Sequence, residues 1–330
     1  MINFTDIKQV HIELTTRCQA QCPMCPRNYR GMDYNSGYPV TELTLDNIKT
    51  MFSDVLLSQL EKVLINGNLG DFGLAKDGPE IVRWFVENTQ AKILINTNGS
   101  MHTPSWWAEL AHPRVQVIFA LDGLEDTHSV YRKNTDFSKI IDNAQAYMAA
   151  GGHAVWQMIV FNHNQHQIKD CEALSVALGF KEFWLFDKDR NQGPVYNRDG
   201  TFSHWIGQPH EHPEPPDPQG LLRDHITWFD KLDLSTIQTN NVECYSKKNN
   251  EIYIAADGSV YPCCYLGFYP ETMTSHPGNR QTKRLIKENN ALIYGIEHAI
   301  EWFNQVEQTW THKSCADGLL YTCAKTCGRN

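Results

Sequence analysis

The stretch from Val10 to Cys25, VHIELTTRCQAQCPMC, runs a short apolar segment directly into three closely set thiols. VHIEL, at 10–14, has the β-branched and apolar content of a buried strand. Cys18, Cys22 and Cys25 follow, spaced by three residues and then by two. Thiols this close in sequence are not ordinary core cysteines, so the loop after the strand holds something.

Outward from this stretch, five more runs repeat the strand pattern: KVLIN at 62–66, KILIN at 92–96, VQVIFAL at 115–121, VWQMIVF at 155–161 and FWLF at 183–186. Helical periodicity fills the gaps in LDNIKTMFSDVL, GPEIVRWFVENT, TPSWWAELA, DFSKIIDNAQAYMAA and QIKDCEALSVALG, with Thr103 as an N-cap and Pro104 at the first helical position. Strand alternating with helix predicts an α/β fold with a parallel sheet, and six such units can curl into a partial barrel. Ligands of such folds bind at the carboxyl ends of the strands. The three thiols lie at that end.

The 330 residues, 41% of them hydrophobic, are enough for one large domain and a smaller one. No apolar run approaches the roughly 18 residues of a membrane span, and MINFTDIKQVHIE has neither a basic segment nor an apolar signal core. These features predict a cytoplasmic protein without a membrane partner. With 29 basic and 38 acidic residues the net charge is -9, and no basic run stands out, which disfavours nucleic acid.

Ten cysteines in a chain without an export signal point to metal rather than to disulfides. Three sit in the first loop, and Cys244, Cys263, Cys264, Cys315, Cys323 and Cys327 gather near the end. Cys171, inside an amphipathic helical pattern, reads as a small buried thiol. Residues 190–220 are rich in Pro, Gly, Asn and Asp and read as a loop crossing to a second domain, with His210 and His212 as solvated linker histidines.

A tetrahedral zinc site needs a fourth ligand, and zinc motifs pair two short Cys units, whereas the first loop offers three thiols. A [4Fe–4S] cluster held at three irons leaves the fourth open to a small molecule. The Cys-x3-Cys-x2-Cys loop after the first strand of a six-unit α/β chain resembles the radical S-adenosylmethionine (SAM) superfamily. That resemblance implies a partial (β/α)6 TIM-like barrel and a [4Fe–4S] cluster on Cys18, Cys22 and Cys25. It also implies that SAM bound to the open iron is cleaved reductively to a 5′-deoxyadenosyl radical, which takes a hydrogen atom from the substrate.

Further matches cover residues 8–186. Gly67-Asn68-Leu69-Gly70-Asp71 stands where the family has Gly-Gly-Glu-Pro, so Gly67, Asn68 and Asp71 are expected to receive the SAM amino group. Asn96-Thr97-Asn98-Gly99 matches the family's TNG turn, giving Asn98. Ala120-Leu121-Asp122-Gly123 is similar to a Ser-Leu-Asp-Gly element, giving Asp122, with Ala in place of a Ser that often helps bind SAM. Arg132 takes the place of an arginine that pairs with the SAM carboxylate through its planar fork. Asn162 resembles a ribose contact.

The C-terminal cysteines resemble a SPASM or twitch extension, which carries auxiliary Fe–S clusters. EIYIAADGSVYPC reads as a hairpin about an Asp-Gly turn that brings Cys244 and Cys263 together. Cys323-x3-Cys327-Gly is similar to the closing element, so Cys244, Cys263, Cys323 and Cys327 are expected to hold one auxiliary [4Fe–4S] cluster. Cys264 and Cys315 are then spare. Cys264 follows the hairpin cysteine at a place that faces the active site in some relatives, which makes it a candidate proton acceptor or hydrogen-atom donor. A buried thiol or an alternative cluster ligand is the competing reading.

The resemblance divides the chain into a barrel at 1–190, a crossing segment at 191–235 and a small SPASM/twitch-like domain at 236–330. It implies an oxidoreductase acting on a ribosomally made peptide by cross-linking, excision or epimerisation, or else a small-molecule dehydrogenase of the twitch form. A non-catalytic Fe–S redox or sensor protein is the reading from another class. The expected partners are the peptide, a separate leader-recognition protein because the barrel starts within about ten residues of Met1, and an electron donor such as flavodoxin or ferredoxin. Trp184, Asp187, Asp189 and Arg190, at and after the sixth strand, are the candidate substrate contacts, with Asp187 as a catalytic candidate.

Overall fold

A computed structural model describes residues 2–33, 37–186, 193–207, 214–272 and 277–329. The six expected strands are present: β1 (Gln9–Ile12), β2 (Lys62–Ile65), β3 (Lys92–Thr97), β4 (Val115–Ala120), β5 (His153–Ile159) and β6 (Glu182–Phe186). Each pairs in parallel with the next in chain order. Helices α1 (Leu45–Met51), α2 (Asp54–Gln59), α3 (Gly78–Asn88), α4 (Pro104–Ala108), α5 (Glu125–Tyr131), α6 (Phe137–Ala149) and α7 (Ile168–Leu178) make the crossovers. The result is a partial (β/α)6 TIM-like barrel.

Local chemistry sets these boundaries. The Thr103 side chain accepts from the Trp106 N–H, with Pro104 opening α4 as expected. The pattern read as one helix over LDNIKTMFSDVL is two, because Ser53 caps a fresh start by accepting from the Leu56 N–H. Gly179 ends α7 in the left-handed conformation that glycine adopts without strain. Cys171 on α7 is fully buried.

The sheet is two-faced. Val10, Ile12, Val63, Ile65, Ile93, Ile95, Val117, Phe119 and Trp156 join the helical residues Leu56, Ile81, Phe85, Trp107, Ile140 and Tyr147 in one buried core. The alternate positions His11, Leu64, Leu94, Gln116 and His153 lie in register across neighbouring strands, with Asn96 and Ile118 in the next row. Side chains alternate along a strand, so this second and more polar face is the inside of the barrel.

Two features lay outside the sequence reading. The segment read as a crossing loop folds in part as an antiparallel hairpin, β7 (Gly193–Tyr196) with β8 (Phe202–Ile206), followed by a helix at Pro218–Thr227. The expected C-terminal hairpin forms as β9 (Glu251–Ile254) and β10 (Val260–Tyr261). It is continuous with the barrel sheet: β9 lies parallel to β1, pairing Gln9 with Glu251 and Ile12 with Ile254. The sheet therefore has eight strands in the order β10-β9-β1-β2-β3-β4-β5-β6.

Candidate active site and cluster centres

The cysteine loop leaves β1 at its carboxyl end and is fixed by its backbone. The Gln21 N–H donates to the Lys133 carbonyl at 2.8 Å, Asn134 Nδ2 donates to the Gln19 carbonyl at 2.6 Å, and Asn28 Nδ2 reaches the Cys22 carbonyl at 3.3 Å. The β7–β8 hairpin covers it: Val195 and Ile206 pack with Ala20, Cys22, Tyr131, Ile159 and Phe161, and Cys18 and Cys25 lie against this cluster. Gly31 is needed here, since a side chain at its φ of +92° would meet the Tyr196 carbonyl at 2.3 Å. Burial pushes the Cys22 thiol up to about 11, against the pull of the adjacent Arg132 guanidinium. Burial and the Asp71 charge push Cys18 up as well.

Several of the expected SAM-side residues converge on these thiols. Asn98 Nδ2 lies 3.8 Å from Cys18 Sγ, and its amide also exchanges hydrogen bonds with Gln19. Arg132 sits against Cys22, and its Nε donates to Asp122 Oδ2 at 2.6 Å. Asp122 Oδ1 accepts from the Ile159 N–H at 2.7 Å, so this fully buried carboxylate ties β5 to Arg132. Asp71 works behind the turn: Oδ1 accepts from the Thr97 hydroxyl and the Gly73 N–H, both at 2.9 Å, and Oδ2 from the Asn98 N–H at 2.7 Å. It holds Asn98 in place.

Other expected residues point elsewhere. Asn68 Nδ2 donates to the Cys264 carbonyl at 2.9 Å, so it bridges the barrel to the C-terminal hairpin. Gly67 and Gly70 permit a tight turn over Glu13: a Cβ on Gly67 would sit 2.7 Å from Glu13 Oε1, and one on Gly70 would sit 1.6 Å from the Thr15 carbonyl oxygen. Asn162 is half-buried just past β5. Trp184 is half-buried on β6 and donates from Nε1 to Glu182 at 2.9 Å. Asp187, Asp189, Arg190, His210 and His212 lie outside the described residues.

A second centre gathers four thiols. Cys244, Cys263, Cys323 and Cys327 line one small pocket, together with Pro262, Leu266, Val306 and Trp310. They come from three places: Cys244 caps the short helix Tyr245–Lys248, Cys263 follows β10, and Cys323 and Cys327 sit one turn apart on the helix Tyr321–Cys327. The Lys247 N–H points at Cys244 Sγ at 3.5 Å. Burial pushes Cys263 far up and Cys323 up to about 12. Among the described residues, no three His, Cys, Asp or Glu close on a point as the ligands of a single ion would. The thiols surround a space instead.

Cys264 and Cys315 are not among the residues lining that cavity. Cys264 is pushed up to about 12 by burial, with Glu251 and Glu13 adding to the effect. Cys315 is buried in a separate cluster with Ile237, Leu319 and Tyr321.

A family model described as the Radical SAM superfamily matches residues 12–171, which hold β1 through β5 and the cysteine loop. Those residues form a radical SAM domain. No curated protein matches the chain by sequence. Among solved structures, Streptococcus suis SuiB bound to S-adenosylmethionine is similar at 14% identity and a TM-score of 0.50, over 79% of this chain and 61% of that one. The chain thus spans about three fifths of the length of SuiB. Native anSMEcpe with bound AdoMet and Cp18Cys peptide is similar at 15% identity and a TM-score of 0.51, over 97% of this chain and 89% of that one. At these identities the likeness is one of fold.

Sequence reasoning missed Glu13, Tyr253 and Tyr269. Glu13 is fully buried, and both phenols donate to its Oε2, at 3.0 and 2.5 Å. Its signal was a charged residue between core-facing Ile12 and Leu14, on the face turned toward the barrel interior.

Proposed function

We propose that this chain is a radical SAM enzyme that oxidatively modifies a ribosomally made peptide, with one SAM-binding [4Fe–4S] cluster and one auxiliary [4Fe–4S] cluster. The observation that carries this reading is the pairing of two thiol centres in one sheet: a three-cysteine loop after β1 and a four-cysteine cavity reached through β9, the neighbour of β1. Three thiolates leave one iron open, and four close the coordination. Bound at Cys18, Cys22 and Cys25, the cluster and SAM supply a 5′-deoxyadenosyl radical that takes a hydrogen atom from the substrate.

The chain's own residues do the rest. Asn98 packs an amide against Cys18, and Arg132, held by Asp122, presents a guanidinium beside Cys22 for the SAM carboxylate. The β7–β8 hairpin packs over the loop and buries Cys22, while Cys18 and Cys25 stay partly open. Cys244, Cys263, Cys323 and Cys327 hold the auxiliary cluster, while Cys264 and Cys315 stay outside it. The peptide reading is supported by the similarity to anSMEcpe, whose structure holds a peptide. Reduction of the loop cluster calls for an external one-electron donor such as flavodoxin or ferredoxin, and peptide delivery for a separate recognition protein or direct docking.

The test is anaerobic reconstitution, then SAM and reductant, then mass spectrometry, first without substrate and then with peptides encoded beside this gene. SAM cleavage and a peptide product short of two hydrogens are expected. A product formed from a small aminocyclitol and from none of the peptides would replace the peptide reading with that of a small-molecule dehydrogenase.

A further inference from the structure

Glu13 is fully buried at the carboxyl end of β1. Its Oε1 accepts from the Leu69 and Gly70 N–H groups at 2.7 and 2.9 Å, and its Oε2 from the hydroxyls of Tyr253 and Tyr269. All four partners are neutral donors, which favour the ionised carboxylate and work against the burial that raises Glu13 above the usual carboxyl range. Asp71, at the other end of the same turn, is built alike, with the Gly73 and Asn98 N–H groups and the Thr97 hydroxyl on its two oxygens. Asp122 differs, because Arg132 neutralises it directly. Two buried carboxylates with no cation in contact among the described residues therefore flank the turn from Gly67 to Asp71. A buried charge is costly unless it is compensated, and its field in a low-dielectric interior reaches well beyond contact distance.

We propose that Glu13, with Asp71 behind it, is a positioning residue that readies the 67–71 turn for the cationic methionine portion of SAM. It adds a second carboxylate from β1, on the Leu69 and Gly70 N–H groups, to the one that Asp71 brings at the end of the turn. Gly67 and Gly70 bring the turn down onto the carboxylate. Tyr253 on β9 and Tyr269 beyond β10 fix the carboxylate from the other side, so the cysteine-rich C-terminal segment helps to set the SAM site. This inference rests on the SAM-binding reading above.

The experiment compares equilibrium binding of SAM and of S-adenosylhomocysteine, which lacks the sulfonium charge, to the reconstituted full-length protein. Glu13→Gln keeps the shape and removes the charge. It should weaken SAM by about tenfold and S-adenosylhomocysteine by about threefold or less, because the more cationic ligand loses more. A merely structural role would weaken both alike. Asp71→Asn should shift the same ratio in the same direction, and it decides the matter where Glu13→Gln does not fold. Equal losses for both ligands, or an unchanged SAM affinity, would overturn the proposal. Wild-type protein that binds neither ligand would overturn the SAM-binding reading and this inference with it.

Discussion

Arg132→Ala removes a guanidinium that serves two partners, and the two losses can be read separately. Asp122 is fully buried, and the 2.6 Å contact from Arg132 Nε is the charge-assisted bond on its Oδ2. Deleting one side of a buried pair costs about 3–5 kcal/mol, because the other charge is stranded. The Ile159 N–H still satisfies Oδ1, which places the expected loss near the lower end, at about 3 kcal/mol. Adding Asp122→Asn removes the stranded charge and should recover about 2 kcal/mol. Anaerobic urea unfolding of the four proteins of this cycle measures the coupling. SAM titration measures the second loss, which should exceed about tenfold in Arg132→Ala and persist in the double variant. A coupling within about 0.5 kcal/mol of zero would refute the buried pair. SAM affinity restored by Asp122→Asn would show that Arg132 acts on SAM only through Asp122.

Cys264→Ala should keep both clusters and form the same product, since Cys264 is not part of the cavity lining. A mass-neutral product carrying solvent deuterium at carbon, lost in this variant, would establish epimerisation with Cys264 as the donor. Cys315→Ala should keep its full iron content for the same geometric reason, at a modest cost in core packing; loss of half the iron would make Cys315 a ligand. The buried imidazoles of His11 and His128 should each lower stability on acidification. Burial lowers His11 from 6.5 to about 4 and His128 to about 3, so both stay neutral while folded. Below about pH 6.5 the unfolded chain takes up protons that the folded chain refuses, at up to about 1.4 kcal/mol per pH unit for each group. In the cluster-free protein His11→Asn should lose less melting temperature than wild type between about pH 7 and about pH 5, and an equal pH dependence in the two would contradict this.

The barrel was legible because its signals are local. Each of the six strands is a β-branched or apolar run, and Thr103-Pro104 announces α4 from two residues of sequence. The cysteine loop was legible for the same reason, as were Cys323 and Cys327, one helical turn apart. What was hidden depends on partners distant in the chain. The parallel pairing of β9 with β1 joins residues some 240 apart, and no pattern within EIYIAADGSVYPC says which strand it will meet. Glu13 reads as a misplaced charge in a buried strand until Tyr253 and Tyr269 are folded onto it. Asn68 and Asp71 sit where a motif comparison placed them, yet their side chains are committed to Cys264 and to the Asn98 turn, an assignment that only the folded backbone makes. The β7–β8 hairpin escaped because turn-rich composition masks its short strands.

Iron content tests the two-centre account most directly. Reconstituted wild-type protein should hold about eight irons, and replacing Cys18, Cys22 and Cys25 by Ala should leave about four and abolish SAM cleavage. Replacing Cys244, Cys263, Cys323 and Cys327 should also leave about four, with the loop cluster still responding to SAM. A tail variant that keeps all its iron, or a wild-type protein that holds about one tightly bound zinc and no iron under anaerobic conditions, would contradict the account.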